Sequence, residues 1–182
     1  MSQNNYNIQI VEALLKAENH IRGLAKLLGT NQTTIARKVD ELHLSNILDF
    51  KKEGRNKVFF IKKTLEAKQF IYSVETNKLL GLLKKYPNLR RIIEIIQKNK
   101  KIHLAVLFGS YAKCTAKKDS DIDIYVDTKD AGFKEEIENI DSKISVKIGE
   151  YDKESLLIKE IEKNHVIIKG VEIYYEKNKF FG

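Results

Sequence analysis

One stretch constrains this chain more than any other: LAVLFGSYAKCTAKKDSDIDIYV, two apolar runs joined by a small-residue turn and a charged loop, residues 104–126. The first run, residues 103–108, ends at Gly109-Ser110, where small residues allow a sharp turn into the start of a helix. The second, residues 122–126, alternates as a half-buried strand does. Side chains two apart on a strand share a face, so Asp121 and Asp123 point one way while Ile122 and Ile124 enter a core. Two carboxylates so placed can hold Mg²⁺. The Gly109-Ser110 turn, leading into a helix, can present backbone amides and a hydroxyl to the phosphates such a metal also binds.

Periodicity sets the remaining elements. Residues 6–17 read as an amphipathic helix, with Ile8, Val11, Leu14 and Leu15 at three- and four-residue steps. A second apolar face, Ile21, Leu24, Ala25, Leu27 and Leu28, stops at Gly29, a residue suited to the left-handed conformation past a helix end. Thr30 and Asn31 offer caps for a third helix, residues 32–43, which buries Ile35, Val39 and Leu42 and exposes Gln32, Thr33, Arg37 and Lys38. Strands at 47–51 and 57–61 flank Gly54, a basic β-hairpin.

Residues 64–86 form one long helix by pattern, striped with Phe70, Ile71, Val74, Leu79, Leu82 and Leu83, and Pro87, the only proline, ends it. This divides the chain into an N-terminal domain, 1–63, a helical linker offering a dimerisation surface, 64–87, and a C-terminal domain, 88–182. The last contains a helix at 89–99, strands at 103–108, 122–126 and 144–148, helices at 133–141 and 153–164, and a β-rich segment at 166–175. The fold class is α+β: three helices and a hairpin, a helical linker, then a mixed sheet with flanking helices.

Charge and composition narrow the partners. Residues 1–63 carry eleven Lys/Arg against six Asp/Glu, a surplus of five, whereas the remaining residues carry 22 against 19. The first third is the more basic part. No stretch approaches the ~18 consecutive apolar residues of a membrane span, and the polar start lacks a secretory build, so a cytoplasmic protein without membrane contact is expected. A single cysteine, Cys114, and four scattered histidines argue against a disulfide or a structural zinc.

Three helices followed by a basic hairpin let the third helix enter a major groove while the hairpin reaches adjacent phosphates or the minor groove. IRGLAKLLGTNQTTIARKVDELHLSNIL resembles the helix-turn-helix of winged-helix transcription regulators, and DFKKEGRNKVFFI resembles their wing. On this reading double-stranded DNA is the partner. Gln32, Thr33, Thr34 and Arg37 meet base edges; Lys38, Lys51, Lys52, Arg55 and Lys57 neutralise phosphates. Two half-sites imply a homodimer.

The Gly-Ser turn and Asp-x-Asp together resemble the signature of the DNA polymerase β-type nucleotidyltransferase superfamily, especially its minimal members. The resemblance covers about residues 88–175 and implies transfer of a nucleotidyl group from a nucleoside triphosphate. Gly109, Ser110 and Lys113 would then lie on the phosphates, and Asp121 and Asp123 would be the catalytic, metal-binding pair. The sequence departs from the family at Cys114, where a second glycine is usual, and at Lys113, where arginine is frequent. A larger departure concerns the third carboxylate, normally carried on a later strand: the matching position in Ser145-Val146-Lys147-Ile148 is Lys147. The alternative register gives the acid to Glu150 or Asp152.

Three functions follow. The first is a DNA-binding regulator whose nucleotidyltransferase-like domain is degenerate or senses a ligand. The second is an active Mg²⁺-dependent transferase that modifies a protein or nucleic acid, with a HEPN protein as the partner that family members imply. The third is a scaffold that binds neither DNA nor nucleotide.

Overall fold

A computed structural model describes residues 5–181, so the first four residues of the expected N-terminal domain and Gly182 lie outside it. The chain divides into two units, one reaching to Asn77 and taking in Phe181, the other Lys78–Phe180. The division falls inside a single helix, α4 (Leu65–Lys85).

In the first unit, α1 (Tyr6–Lys16) is followed by a two-residue strand, β1 (Asn19–His20), and by α2 (Ile21–Leu27). Gly29, at φ +62°, closes α2: Thr30 N–H donates to Ala25 O at 3.0 Å and Gly29 N–H to Lys26 O at 3.4 Å, satisfying carbonyls the helix leaves open. Asn31 then starts α3 (Gln32–Leu44), its side chain accepting from Thr34 N–H at 2.7 Å. Ile35, Val39 and Leu42 face the core, as their spacing requires.

Strands β2 (Leu48–Glu53) and β3 (Asn56–Ile61) pair antiparallel across Gly54, at φ +60°. The short β1 adds to the other edge of β3, giving the order β1-β3-β2. Two residues are too few to leave a periodic signature, which is why β1 does not show in the sequence. The unit is a winged helix-turn-helix.

The apolar stripe of α4 is packed in part: within the single chain Ile71 and Val74 are fully buried and Leu82 is 2% exposed, while Phe70, Leu79 and Leu83 are half-buried.

The second unit begins with a 3₁₀ turn at Pro87–Leu89 and α5 (Arg90–Lys98). Its sheet, in the order β6-β5-β4-β7, is mixed: β4 (Ala105–Leu107) runs antiparallel to β5 (Ile122–Asp127) and to β7 (Val166–Lys169), while β5 and β6 (Ile144–Gly149) are parallel. Ile122, Ile124 and Val126 pack with Ile92, Ile93 and Ile96 of α5 and with Phe133 and Ile137 of α7 (Ala131–Glu138). The short α6 (Gly109–Ala112) follows β4, and α8 (Leu156–Lys163) precedes β7.

One element differs from expectation. The β-rich run at 166–175 breaks after Lys169, and Val171–Lys177 forms a helix, α9. Gly170 turns the chain at φ +80°, in a position where a Cβ would collide with His103 O. Tyr174 and Tyr175, both buried, belong to this helix.

Candidate functional site

Two surfaces carry the predicted residues. On the first unit, Gln32, Thr33 and Arg37 are exposed along α3, while Thr34 is half-buried and its amide is occupied by the Asn31 cap. The basic residues divide by what already holds them. Lys38 is bound by Glu41 at 2.6 Å, a contact that also holds the Glu41 carboxyl below its ordinary pKa. Lys51 lies between Glu18 at 2.5 Å and Glu53 at 3.3 Å, and these carboxylates, Glu18 foremost, raise its pKa. Lys57 sits over the Phe50 ring, 4.1 Å from its centroid. Arg37, Lys52 and Arg55 are exposed and make no ion pair among the described residues. The neutralising role of Glu18 was not legible in the sequence, because it acts from a distant loop brought close only by the β1–β3 pairing.

On the second unit, β4 delivers the chain to Gly109, at φ +68°. The absence of a side chain there matters, because a Cβ would collide with Asp123 Oδ2. The Gly-Ser turn and the Asp123 carboxylate are thus packed directly together. Phe108 N–H donates to Asp123 O at 3.0 Å, which ties the end of β4 to β5. Asp121 is exposed just before β5, and Asp123 is half-buried on the face opposite Ile122 and Ile124. Burial raises the pKa of Asp123, Asp121 adds to the rise, and Lys147 opposes it.

Lys147 acts there because of register. In the parallel β5–β6 pair, Asp123 stands beside Ser145 and Tyr125 beside Lys147, and paired residues share a face. Lys147 therefore lies on the side of the sheet that carries Asp123, exposed. The alternative acids are engaged elsewhere: Glu150, past the strand, is bound to Lys129 at 2.6 Å, and Asp152 accepts from Glu154 N–H at 2.9 Å. Among the described residues no three His, Cys, Asp or Glu side chains gather to hold a metal ion. The donor set falls short of a two-metal centre: Asp121 and Asp123 stand on this face with the exposed Lys147, and not a third acid, on the neighbouring strand.

The rest of this face is spoken for. Tyr125 donates its hydroxyl to Gly149 O at 2.9 Å, and burial, with Asp127 next, raises its pKa. Asp127 is paired with Lys177 at 2.9 Å. Lys113 reaches Glu160 of α8 at 3.3 Å, a partner 47 residues away that no spacing in the sequence announces. Cys114 adopts φ +57°, the conformation in which glycine is at ease, and its carbonyl accepts from Lys85 Nζ at 2.7 Å.

Residues 90–179 match the family described as polymerase beta, nucleotidyltransferase. The C-terminal unit is a nucleotidyltransferase domain. Among curated proteins none matches the chain. Among solved structures, the adhesin competence repressor AdcR of Streptococcus pyogenes is 19% identical, over 50% of this chain and 68% of its own, with a TM-score of 0.42. The homodimeric winged helix-turn-helix DNA-binding domain Mb0332 of Mycobacterium bovis, a possible ArsR-family transcriptional regulator, is 23% identical over 43% of this chain and 73% of its own, TM-score 0.37. A toxin-antitoxin structure with AMP-PNP is 25% identical over 58% of this chain and 79% of its own, TM-score 0.35. The winged-helix assignment itself comes from the helix order, caps and hairpin register; no described helix is long and apolar enough to cross a membrane.

Proposed function

We propose that this chain is a DNA-binding regulator of transcription whose nucleotidyltransferase domain has lost or weakened catalysis. One contrast in pairing carries the reading. On α3 and the hairpin, Arg37, Lys52 and Arg55 remain available to an acidic partner. On the nucleotidyltransferase face, Lys147 lies on the side of the sheet that carries Asp123 and opposes the rise in its pKa. Double-stranded DNA is the partner of the first surface: Arg37 contacts a base edge, and Lys52 and Arg55 contact phosphates. Lys38 and Lys51, already bound by carboxylates, contribute less than their charge suggests.

For the second surface, Mg²⁺ is not a resident ion of the protein as it stands. A nucleoside triphosphate that bound would meet the Gly109-Ser110 turn and would have to draw Lys113 from Glu160. The competing reading is an active transferase acting on a protein or nucleic acid, in the manner of antitoxins that partner HEPN proteins. It is favoured by the intact packing of Gly109 against Asp123. Incubation of the full chain with radiolabelled nucleoside triphosphates and Mg²⁺ separates the two. The regulator reading expects no label on the protein, on added nucleic acid or on protein from a lysate, and steady label transfer dependent on Asp121 and Asp123 would overturn it. A homodimer remains the expected form on DNA, with Ile71, Val74 and Leu82 of the α4 stripe already buried within the single chain.

A further inference from the structure

The steepest concentration of charge in the chain is not on the winged helix. Residues 84–101 hold seven Lys or Arg against Glu94 alone, a surplus of six in a protein whose net charge is +8. Helix α5 sorts them. Ile92, Ile93 and Ile96 enter the core, and Arg90, Arg91, Glu94, Gln97 and Lys98 are exposed. Arg91, Glu94 and Lys98 fall at three- and four-residue steps and so form one outward line. Glu94 is taken by Lys98 at 2.7 Å, which leaves Arg90, Arg91, Lys100 and Lys101 with no ion pair among the described residues.

The turn that presents the two lysines is fixed, because Lys169 Nζ donates to Gln97 O at 2.9 Å and to Asn99 O at 2.6 Å. The two arginines occupy the first turn of α5, which holds no acid, where the helix dipole disfavours positive charge. An anionic partner would relieve this crowding. The exposed residues of α5 are all polar. A protein interface or an amphipathic helix inserted in a membrane buries apolar side chains, which this face lacks, whereas nucleic-acid interfaces are polar and strongly positive.

We propose that the outward face of α5 and the 98–101 turn form a second, sequence-independent binding surface for the phosphate backbone of double-stranded DNA. The choice of duplex DNA rests on the function proposed above; the phosphate chemistry does not. Nine helical residues span about 13 Å, against one phosphate per ~3.4 Å of each strand, which gives room for about three or four phosphates.

The test is the salt dependence of duplex binding by four forms of the full chain. These are the unaltered protein; an α5 variant, Arg90→Gln, Arg91→Gln, Lys100→Gln and Lys101→Gln; a winged-helix variant, Arg37→Ala, Lys52→Gln and Arg55→Gln; and both sets combined. The α5 changes lie outside the core and remove repulsion, so the Tm of that variant should equal or exceed that of the unaltered protein. We expect its slope of log K against log salt to fall in magnitude by ~2 to 4, equally for all sequences, since each phosphate that a cation no longer neutralises takes ~0.9 from the slope. An α5 variant with an unchanged slope overturns the inference and leaves the winged-helix reading standing. A winged-helix variant that binds like the unaltered protein, while the α5 variant does not bind, supports the inference and overturns that reading. Absence of duplex binding by the unaltered protein, or preference for polyglutamate over duplex, overturns it as well.

Discussion

The two candidate surfaces are built from the same kinds of residue and end in opposite states. Around α3 and the hairpin, carboxylates at the periphery take up Lys38 and Lys51, while Arg37, Lys52 and Arg55 make no ion pair among the described residues. On the nucleotidyltransferase face the exchange is reversed: Lys147 offsets Asp123 in part, Lys177 holds Asp127, and Glu160 holds Lys113. A fold therefore says less about activity than the pairing of charges within it. The first surface is short of anions. The second is close to neutral by itself.

The largest expected effect is on that second surface. Lys147→Asp changes the local charge by two units beside Asp121 and Asp123 and restores three acids, and at effective protein dielectric this should raise Mg²⁺ affinity on the order of 100-fold or more. Calorimetric titration of Mg²⁺ into both forms measures it. Equal, tight binding by both would mean that another acid completes the site, and the contrast between the surfaces would collapse.

On the first surface, Arg37→Ala should cost ~1 to 3 kcal/mol for the preferred duplex and relax preference at one base position. Lys52→Ala should weaken all duplexes alike and reduce the salt slope by about 1. Lys51→Ala should do measurably less than Lys52→Ala, since Glu18 and Glu53 already hold that ammonium. Anisotropy titrations across salt concentrations rank the three, and a reversed order for Lys51 and Lys52 would refute the pairing argument.

Gly109→Ala should lower stability by ~1 to 3 kcal/mol, because alanine is strained at φ +68° and its methyl displaces the Asp123 carboxylate. Thermal unfolding reports the loss. A variant as stable as the parent would show that the turn and the acid are not packed as described.

Much of this was legible in advance because local rules acted alone. Gly29 and Asn31 bracket α3, Gly54 closes the hairpin, and Ile122 and Ile124 alternate with Asp121 and Asp123, so helix, wing and acidic pair all follow from neighbours in sequence. The placement of Lys147 also followed, through the alternation of Val146 and Ile148. What escaped depended on distant partners. Ile71 and Val74 look like a free stripe until tertiary packing buries them, β1 exists only through its pairing with β3, and the helix at Val171–Lys177 is set by a collision at Gly170 that residue preferences do not reveal.

The smallest effect concerns Asp123. Its pKa in the fold is raised, mainly by burial, so its contribution to stability is present below the ordinary aspartate value of 3.8 and is lost as pH rises through the folded value. At neutral pH the ionised group is a burden, and Asp123→Asn should raise Tm by a modest margin there while making little difference near pH 3. A lower Tm for the asparagine form at neutral pH would show instead that Lys147 more than offsets the burial.

The central claim, a winged helix that reads DNA in a chain whose nucleotidyltransferase domain has lost or weakened catalysis, is met most directly by duplex selection. The full chain is offered a random duplex pool, and the enriched sequence is then titrated against its scramble at physiological salt. The account predicts convergence on one motif bound ~10³-fold or more tighter than the scramble, with no triphosphate required. Equal affinity for both duplexes, or no binding even at low salt, would contradict it.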